Sequence, residues 1–243
     1  MKLISKIKFD ISLYLFLGLI LFAGMFKEFT FVFLLLFFHE LGHAIVGILF
    51  HWKLLKITFY PYGGITTFDK LENSSILKEI IILLAGPFFQ IITYFLLSIF
   101  FNYSYIKTYH LSILIFNLLP ILTLDGGRLI NLLLNKIFTY LTSFYICVAI
   151  SFITILLLII FCIFNYLNLN LFLMSIFLVF KVIKSIKDIK YCYERFLVER
   201  YLYKFKYSKI SISKSIYSFY KERNHYIDFQ DEKDYLNKYF KRQ

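Results

Sequence analysis

Long runs of apolar residues dominate the pattern along this chain. A helix needs about 20 apolar residues to cross the hydrocarbon core of a bilayer. The first run follows a basic start and has no small-residue cleavage site, which indicates a retained span and not a signal peptide. The pattern predicts an all-α polytopic membrane protein with about six transmembrane helices. The six runs lie near 11–26, 29–50, 79–101, 111–134, 138–164 and 168–183.

The segment between the second and third runs has a different pattern. Residues 51–78 contain "KITFYPYGGITTF", in which polar and apolar residues alternate. Such alternation around a Gly-Gly pair is typical of a β-hairpin, with Gly63 and Gly64 in the turn. We therefore expect a short membrane-associated β-hairpin loop beside the second helix.

Composition and charge support the membrane class and orient the chain. Hydrophobic residues make up 60% of the 243 positions. Residues 181–243 hold 16 of the 27 Lys and Arg but 8 of the 15 Asp and Glu, which is +8 of the net charge of +12. With lysines concentrated on one side of the membrane, both termini are expected in the cytoplasm. The tail would orient the chain and contact anionic lipid. Its place beside a membrane argues against nucleic acid as a binding partner.

Three polar residues stand inside the second run, in "FFHELGHAIVG". His39 and His43 are four residues apart, so they share one face of a helix, and Glu40 follows the first. HExxH is the spacing in which two imidazoles bind zinc and a glutamate handles the protons of activated water. Polar residues inside a span are costly and are usually functional. The alternative is that hydrogen bonds between helices satisfy both histidines.

A catalytic zinc takes three protein ligands, so a third must come from another segment. Asp125, in "NLLPILTLDGGRLIN", is the only aspartate within the predicted runs. An unpaired Asp at mid-membrane costs about 2.5–3.5 kcal/mol, and coordination of a metal would remove that cost. Pro120 breaks the helix before it, and Gly126 after it lets backbone approach closely. A salt bridge to Arg128, three residues on, is the alternative role.

The two motifs together resemble the site-2 protease family of intramembrane zinc metalloproteases. "PYGG" (61–64) is similar to that family's hairpin loop and "LLAGP" (83–87) to its next helix. The resemblance covers roughly residues 30–135, which it implies to be a three-helix catalytic core. The matching residues are His39, Glu40, His43, Asn117, Pro120, Asp125 and Gly126.

The resemblance implies the hydrolysis of a peptide bond in or near the membrane segment of a tethered protein. One Zn²⁺ per chain would be held by His39, His43 and Asp125, with Glu40 as the catalytic base. Gln90 stands where relatives often have Asn. The resemblance further implies residues that bind or position the substrate, which are Asn117, Pro120, Gly63, Gly64 and Gly126.

The extra spans and the basic tail are similar to a sporulation subgroup of that family. Its members cut membrane-tethered pro-sigma-K during spore formation. This implies a place in the mother-cell-derived membrane around the forespore and inhibitory membrane partners, and it leaves homo-oligomerisation open. The chain would divide into a six-span protease domain, 1–183, and a basic cytoplasmic tail, 184–243, with a truncated CBS-like remnant.

Three alternatives stay open. The substrate could be an anti-sigma factor or a signal-peptide remnant. A membrane zincin could use Glu79 as its third ligand. A membrane metal transporter could use the same ligands but would not need Glu40 as a base. Among the remaining histidines, His110 is expected in an outer loop and His225 in the tail without an evident partner.

Overall fold

The structure is a computed structural model that describes residues 3–101, 103–164, 169–213, 215–227 and 230–241. The chain forms two compact units, one of residues up to 70 with 80–117 and one of residues 71–79 with the chain from 118 onward. The strands are β1 (Ile7–Phe9), β2 (Lys53–Tyr60), β3 (Gly63–Asp69), β4 (Ile210–Ile212), β5 (Asn224–Ile227) and β6 (Gln230–Asp231). The helices are α1 (Ile11–Phe22), α2 (Phe26–Leu49), α3 (Ile76–Phe100), α4 (Ser104–Leu118), α5 (Asp125–Leu134), α6 (Tyr140–Phe164), α7 (Leu169–Leu202) and α8 (Glu232–Lys241).

The apolar runs become helices of unequal length. Among the described helices, α2, α3 and α6 are long and apolar enough to cross a membrane. Helix α1 is apolar but has only 12 residues, which is about 18 Å at the rise of an α-helix. A mostly helical membrane protein is thus confirmed, while the full set of six spans stays a prediction.

The apolar run over 111–134 is interrupted, as Pro120 predicts. Helix α4 ends at Leu118 and α5 begins at Asp125, with a non-helical segment between them. Pro120 has no N–H to donate, and its ring disfavours helical geometry in the residue before it. The break places Asp125 in the first turn of α5.

A three-stranded sheet belongs to the first unit. Strand β2 lies in the centre, parallel to β1 and antiparallel to β3, so that Ile57 is paired with both Ile7 and Thr66. The predicted hairpin is confirmed, but its predicted Gly-Gly turn is wrong. Tyr60 pairs with Gly63, which leaves Pro61 and Tyr62 as the connection. Gly63 opens β3 at a φ of 140°, a conformation that favours glycine.

The sheet and α2 share one apolar cluster. Apolar residues of α1, α2 and β2 form its buried part, and aromatic side chains of α2 pack around it. Phe37, next to the HExxH motif, stacks on Phe59 of β2 with ring centroids 5.5 Å apart. The packing fixes the hairpin against the helix that carries the histidines. The buried residues are Leu13, Ala44, Leu54, Ile57 and Phe59.

The second unit has its own core around the end of α7. Strand β5 pairs in parallel with β4 and antiparallel with β6. Phe196, Phe219 and Leu236 are fully buried in this core. The predicted domain boundary at residue 183 falls inside α7, and that boundary and the CBS-like remnant stay predictions.

The expectation of a partnerless His225 is wrong. The imidazole is buried, its Nδ1 lies 3.1 Å from a carboxylate oxygen of Glu232, and its Nε2 accepts the N–H of Tyr220 at 2.8 Å. Arg200 donates to the same carboxylate at 2.8 Å. Burial lowers the pKa of His225 below its usual value because desolvation penalises the charged imidazole. His225 is a structural residue of this unit.

Candidate metal centre

Two imidazoles meet on one buried face of α2. His39 and His43 are 2% and 6% exposed. Their Nε2 atoms lie only 3.2 Å apart, as the four-residue spacing on a helix allows. The HExxH spacing therefore produces a pair of nitrogens that face the same point.

The other ring nitrogen of each histidine is held by α3. Nδ1 of His43 lies 2.8 Å from the carbonyl oxygen of Ile82, which can only accept, so this Nδ1 carries the proton. Nδ1 of His39 lies 3.0 Å from Oε1 of Gln90. The amide nitrogen of Gln90 donates to the carbonyl of His110 at 3.0 Å, so its oxygen faces His39 and accepts. Both histidines therefore hold their proton on Nδ1.

This tautomer makes the pair fit a metal ion. With both protons on Nδ1, each Nε2 is an unprotonated nitrogen of the kind that ligates a metal, and the two atoms lie 3.2 Å apart. A metal-bound histidine usually donates the N–H of its other ring nitrogen to a carbonyl or carboxylate in this way, which fixes the ring. The donor set, buried imidazole nitrogen, is one that zinc prefers.

The β-hairpin positions the glutamate of the motif. Glu40 is 8% exposed, and the hydroxyl of Thr66 on β3 donates to its Oε2 at 2.7 Å. A Cβ on Gly64 would overlap the Glu40 side chain, so β3 lies directly against the carboxylate. The hairpin thus fixes the base next to the imidazole pair.

Helix α3 approaches the imidazoles through a glycine. A Cβ on Gly86 would overlap the rings of both His39 and His43. Gly86 therefore allows the close approach that lets Ile82 and Gln90, on neighbouring turns, reach the two Nδ1 atoms. The sequence pattern "LLAGP" indicated this helix but not the reason for its glycine.

Gln90 and His110 form a second layer behind His39. Gln90 is fully buried, and its amide nitrogen lies 3.0 Å from the carbonyl and 3.3 Å from Nδ1 of His110. The expectation that His110 lies in an outer loop is wrong. It lies in α4, buried and stacked on Tyr94 with ring centroids 4.3 Å apart. The role of His110 as a support for Gln90 is visible only from its tertiary contacts with α3.

Asp125 is positioned by the break between α4 and α5. It occupies the first turn of α5, where the helix dipole favours a carboxylate. A Cβ on Gly126 would overlap the carbonyl of Leu118, so the turn closes tightly before the helix starts. Asp125 thus offers a carboxylate, a ligand type that zinc accepts beside two imidazoles.

Comparisons with known proteins find similarity to peptidases. Residues 28–106 match peptidase family M50. The chain is 33% identical over 144 residues to stage IV sporulation protein FB of Bacillus subtilis, covering 56% of this chain and 50% of that protein. It is 34% identical over 147 residues to a zinc metalloprotease of Methanocaldococcus jannaschii, covering 56% and 42%. The chain thus spans about half the length of these curated relatives.

A solved structure decides the family. The structure of a site-2 protease from Methanocaldococcus jannaschii is similar at a TM-score of 0.56 and 30% identity, and the match covers 74% of this chain and 90% of that one. The chain belongs to the site-2 protease family, peptidase family M50. The resemblance seen in the sequence is confirmed.

As a member of the site-2 protease family, the chain also carries the residues expected to position substrate. Asn117 lies in the last turn of α4, half-buried, and Pro120 lies in the break that follows. Gly63 begins the edge strand β3. Their roles in substrate binding stay predictions.

Glu79 has a different set of partners. It lies in the first turn of α3, accepts a hydrogen bond from Ser74 at 2.7 Å and forms an ion pair with Lys221. Its carboxylate is thereby engaged within the second unit, as a helix N-terminal carboxylate usually is. Membership of the site-2 protease family and these contacts favour Asp125 over Glu79 as the third ligand.

Proposed function

We propose that this chain is an intramembrane zinc metalloprotease that hydrolyses a peptide bond in or near the membrane segment of a membrane-tethered protein. The observation that carries the proposal is the buried imidazole pair, whose Nε2 lone pairs face each other at 3.2 Å. Two such nitrogens can ligate one cation, and the adjacent buried Glu40 supplies the base that hydrolysis needs. Membership of peptidase family M50 supports the same reaction.

One zinc ion per chain would be held by His39, His43 and Asp125. Three protein ligands leave a position open for water, as in catalytic zinc sites. When bound there, zinc supplies Lewis-acid activation of the water and of the scissile carbonyl. The single N–H of each imidazole, on Nδ1, is already committed to an acceptor on α3, which keeps both rings in the orientation for binding.

Glu40 is the general base and acid. Its carboxylate would take a proton from the attacking water and return it to the leaving amine. The Thr66 hydroxyl holds one carboxylate oxygen at 2.7 Å, which fixes the direction of the other. Because the motif is buried against α3 and the hairpin, bulk water is kept from the reacting groups.

The hairpin and the α4–α5 break would receive the substrate. A peptide bond is cleaved from an extended chain, because a helix hides its backbone. Strand β3 is the edge strand of its sheet, and its Gly64 lies against the Glu40 side chain. A substrate segment paired with β3 would therefore lie beside the base. Asn117, at the end of α4, would also contact the substrate.

The substrate we favour is pro-sigma-K, cut during sporulation in the membrane around the forespore. The support is the partial match to stage IV sporulation protein FB of Bacillus subtilis. Both termini would lie in the cytoplasm, with inhibitory membrane partners controlling the enzyme. An anti-sigma factor or a signal-peptide remnant is the alternative substrate of the same site.

The test is cleavage of tagged pro-sigma-K co-expressed with the full chain. Glu40→Gln and Asp125→Asn are compared with two matched controls, Glu28→Gln on the same helix as Glu40 and Asp69→Asn at the exposed end of β3. We expect a shortened product with the wild type and both controls and none with the first two variants. A product that survives Glu40→Gln would show that Glu40 is not the base and would contradict the proposed metalloprotease mechanism.

A product from none of the chains would have a separate meaning. If the purified wild type then contains one zinc that Asp125→Asn lacks, the metal site stands and the pro-sigma-K assignment is wrong. If the wild type contains no zinc, the proposed metal centre itself is wrong.

A further inference from the structure

A basic cavity lies in the second unit. Its volume is about 540 Å³. The walls are the loop after α7, the turn that precedes β5, Lys136 in the turn after α5, and the first residue of α3, Ile76. None of the reaction steps above uses this cavity.

Specific contacts fix the cavity walls. A carboxylate oxygen of Glu222 accepts the N–H of Ile76 at 2.8 Å, and Glu222 adopts a left-handed φ of 59° to reach it. Lys221 forms its ion pair with Glu79 one turn along α3. Arg223 donates to the carbonyl of Lys136 at 3.3 Å. Backbone strain of this kind persists where surrounding contacts determine the conformation.

The cavity has an excess of positive charge. Lys221 on its wall is neutralised by an ion pair with Glu79, and the carboxylate of Glu222 accepts the N–H of Ile76. Within the part of the chain that the structure describes, Lys136, Lys206 and Lys209 form no ion pair. Three ammonium groups around one concavity attract an anion with more than one negative oxygen, which is the chemistry of a phosphate.

The first residue of a candidate membrane-spanning helix lines the cavity. Ile76 is the first residue of α3, which is long and apolar enough to cross a bilayer. The polar headgroups of lipids lie where such a helix leaves the hydrocarbon. Basic pockets at helix ends are typical sites for anionic headgroups.

We propose that this cavity binds a phosphate-bearing anion, and that its occupant is the headgroup of an anionic phospholipid. Lys206 and Lys209 approach the phosphate from the loop after α7, and Lys136 approaches from the end of α5. A headgroup seated here touches the turn that holds the first turn of α3. The site would anchor the folded tail to the membrane surface.

The test measures lipid binding to the purified full chain in a neutral detergent at low ionic strength. Native mass spectrometry gives the affinity for dioctanoyl phosphatidylglycerol, dioctanoyl phosphatidylcholine, and the soluble ions glycerol phosphate and inorganic phosphate. The double variant Lys206→Gln, Lys209→Gln removes two cavity charges. The matched control, Lys238→Gln with Lys241→Gln, removes two exposed charges from α8.

We expect one phosphatidylglycerol per chain, bound at least tenfold more tightly than phosphatidylcholine. Each lysine near anionic lipid is worth roughly a fivefold change in affinity, so the cavity variant should weaken binding about 30-fold. The α8 variant should stay within twofold of the wild type.

Each other result has a defined meaning. Equal binding of phosphatidylglycerol by the cavity and α8 variants overturns the site, as does a lack of preference over phosphatidylcholine. Glycerol phosphate that binds as tightly as the lipid, with the same dependence on the cavity lysines, supports a phosphate site and overturns the lipid as its occupant.

Discussion

Gln90 determines how firmly His39 is held for metal binding, and Gln90→Leu tests this. The amide is fully buried and makes hydrogen bonds at 3.0 Å to both Nδ1 of His39 and the carbonyl of His110. Leucine keeps most of the volume but removes both bonds. The N–H of His39 then has no acceptor, so the ring can turn and its proton can move to Nε2, the atom needed for zinc.

The expected loss follows from these contacts. Removal of the group that orients a metal-bound histidine typically costs 10- to 100-fold in metal affinity, which is about 1.4–2.7 kcal/mol. Two buried groups left unsatisfied also lower the free energy of unfolding by roughly 1–3 kcal/mol each. Zinc affinity and stability must therefore be measured separately.

The assay is competition for zinc between the purified chain and a chelator of known affinity, with the unfolding midpoint measured on the same samples. The control is Thr93→Val, one turn further along α3, because the Thr93 hydroxyl bonds only the carbonyl of Phe89 in its own helix. The control should keep wild-type zinc affinity. If Gln90→Leu also keeps it, the orientation of His39 does not depend on Gln90 and the reasoning is refuted.

Three further predictions concern the glycine on α3, the donor to Glu40 and the buried histidine of the second unit. Gly86→Ala places a methyl group against both imidazoles and should abolish zinc binding in metal analysis, whereas Gly18→Ala, which meets nothing within 4 Å, should not. Thr66→Val removes the donor 2.7 Å from Glu40 and should slow substrate cleavage roughly 10- to 100-fold at unchanged zinc content; unchanged cleavage would contradict the role of Thr66. Because the pKa of His225 is lowered from 6.5, the unfolded chain binds a proton that the folded chain does not, so the unfolding midpoint should fall as the pH drops below about 6.5. His225→Asn should flatten that dependence, and an unchanged slope would mean that other groups cause it.

The chemistry of the site could be predicted from the sequence because its signals are local. Two histidines four residues apart share a helix face whatever the rest of the chain does. A lone aspartate after Pro120 stands out in an apolar run for a similar reason, since burial of a charge needs a compensating partner.

The missed features depend on tertiary contacts. The hairpin turn lies at Pro61–Tyr62 because the register of β2 and β3 aligns Tyr60 with Gly63, and Gly64 is then needed for contact with Glu40. The parallel strand β1 pairs with residues about 50 positions away, which no local pattern indicates. The burial of His110 depends on Gln90 and Tyr94 from the preceding helix.

The central claim is tested most directly by cleavage with Glu40→Gln after its metal content has been measured. The substitution keeps an oxygen that can accept from Thr66, so the site should remain folded. The account predicts one zinc per chain, as in the wild type, and no cleavage of membrane-tethered substrate. Cleavage at the wild-type rate by this zinc-loaded variant would show that Glu40 is not the base and would contradict the proposed metalloprotease.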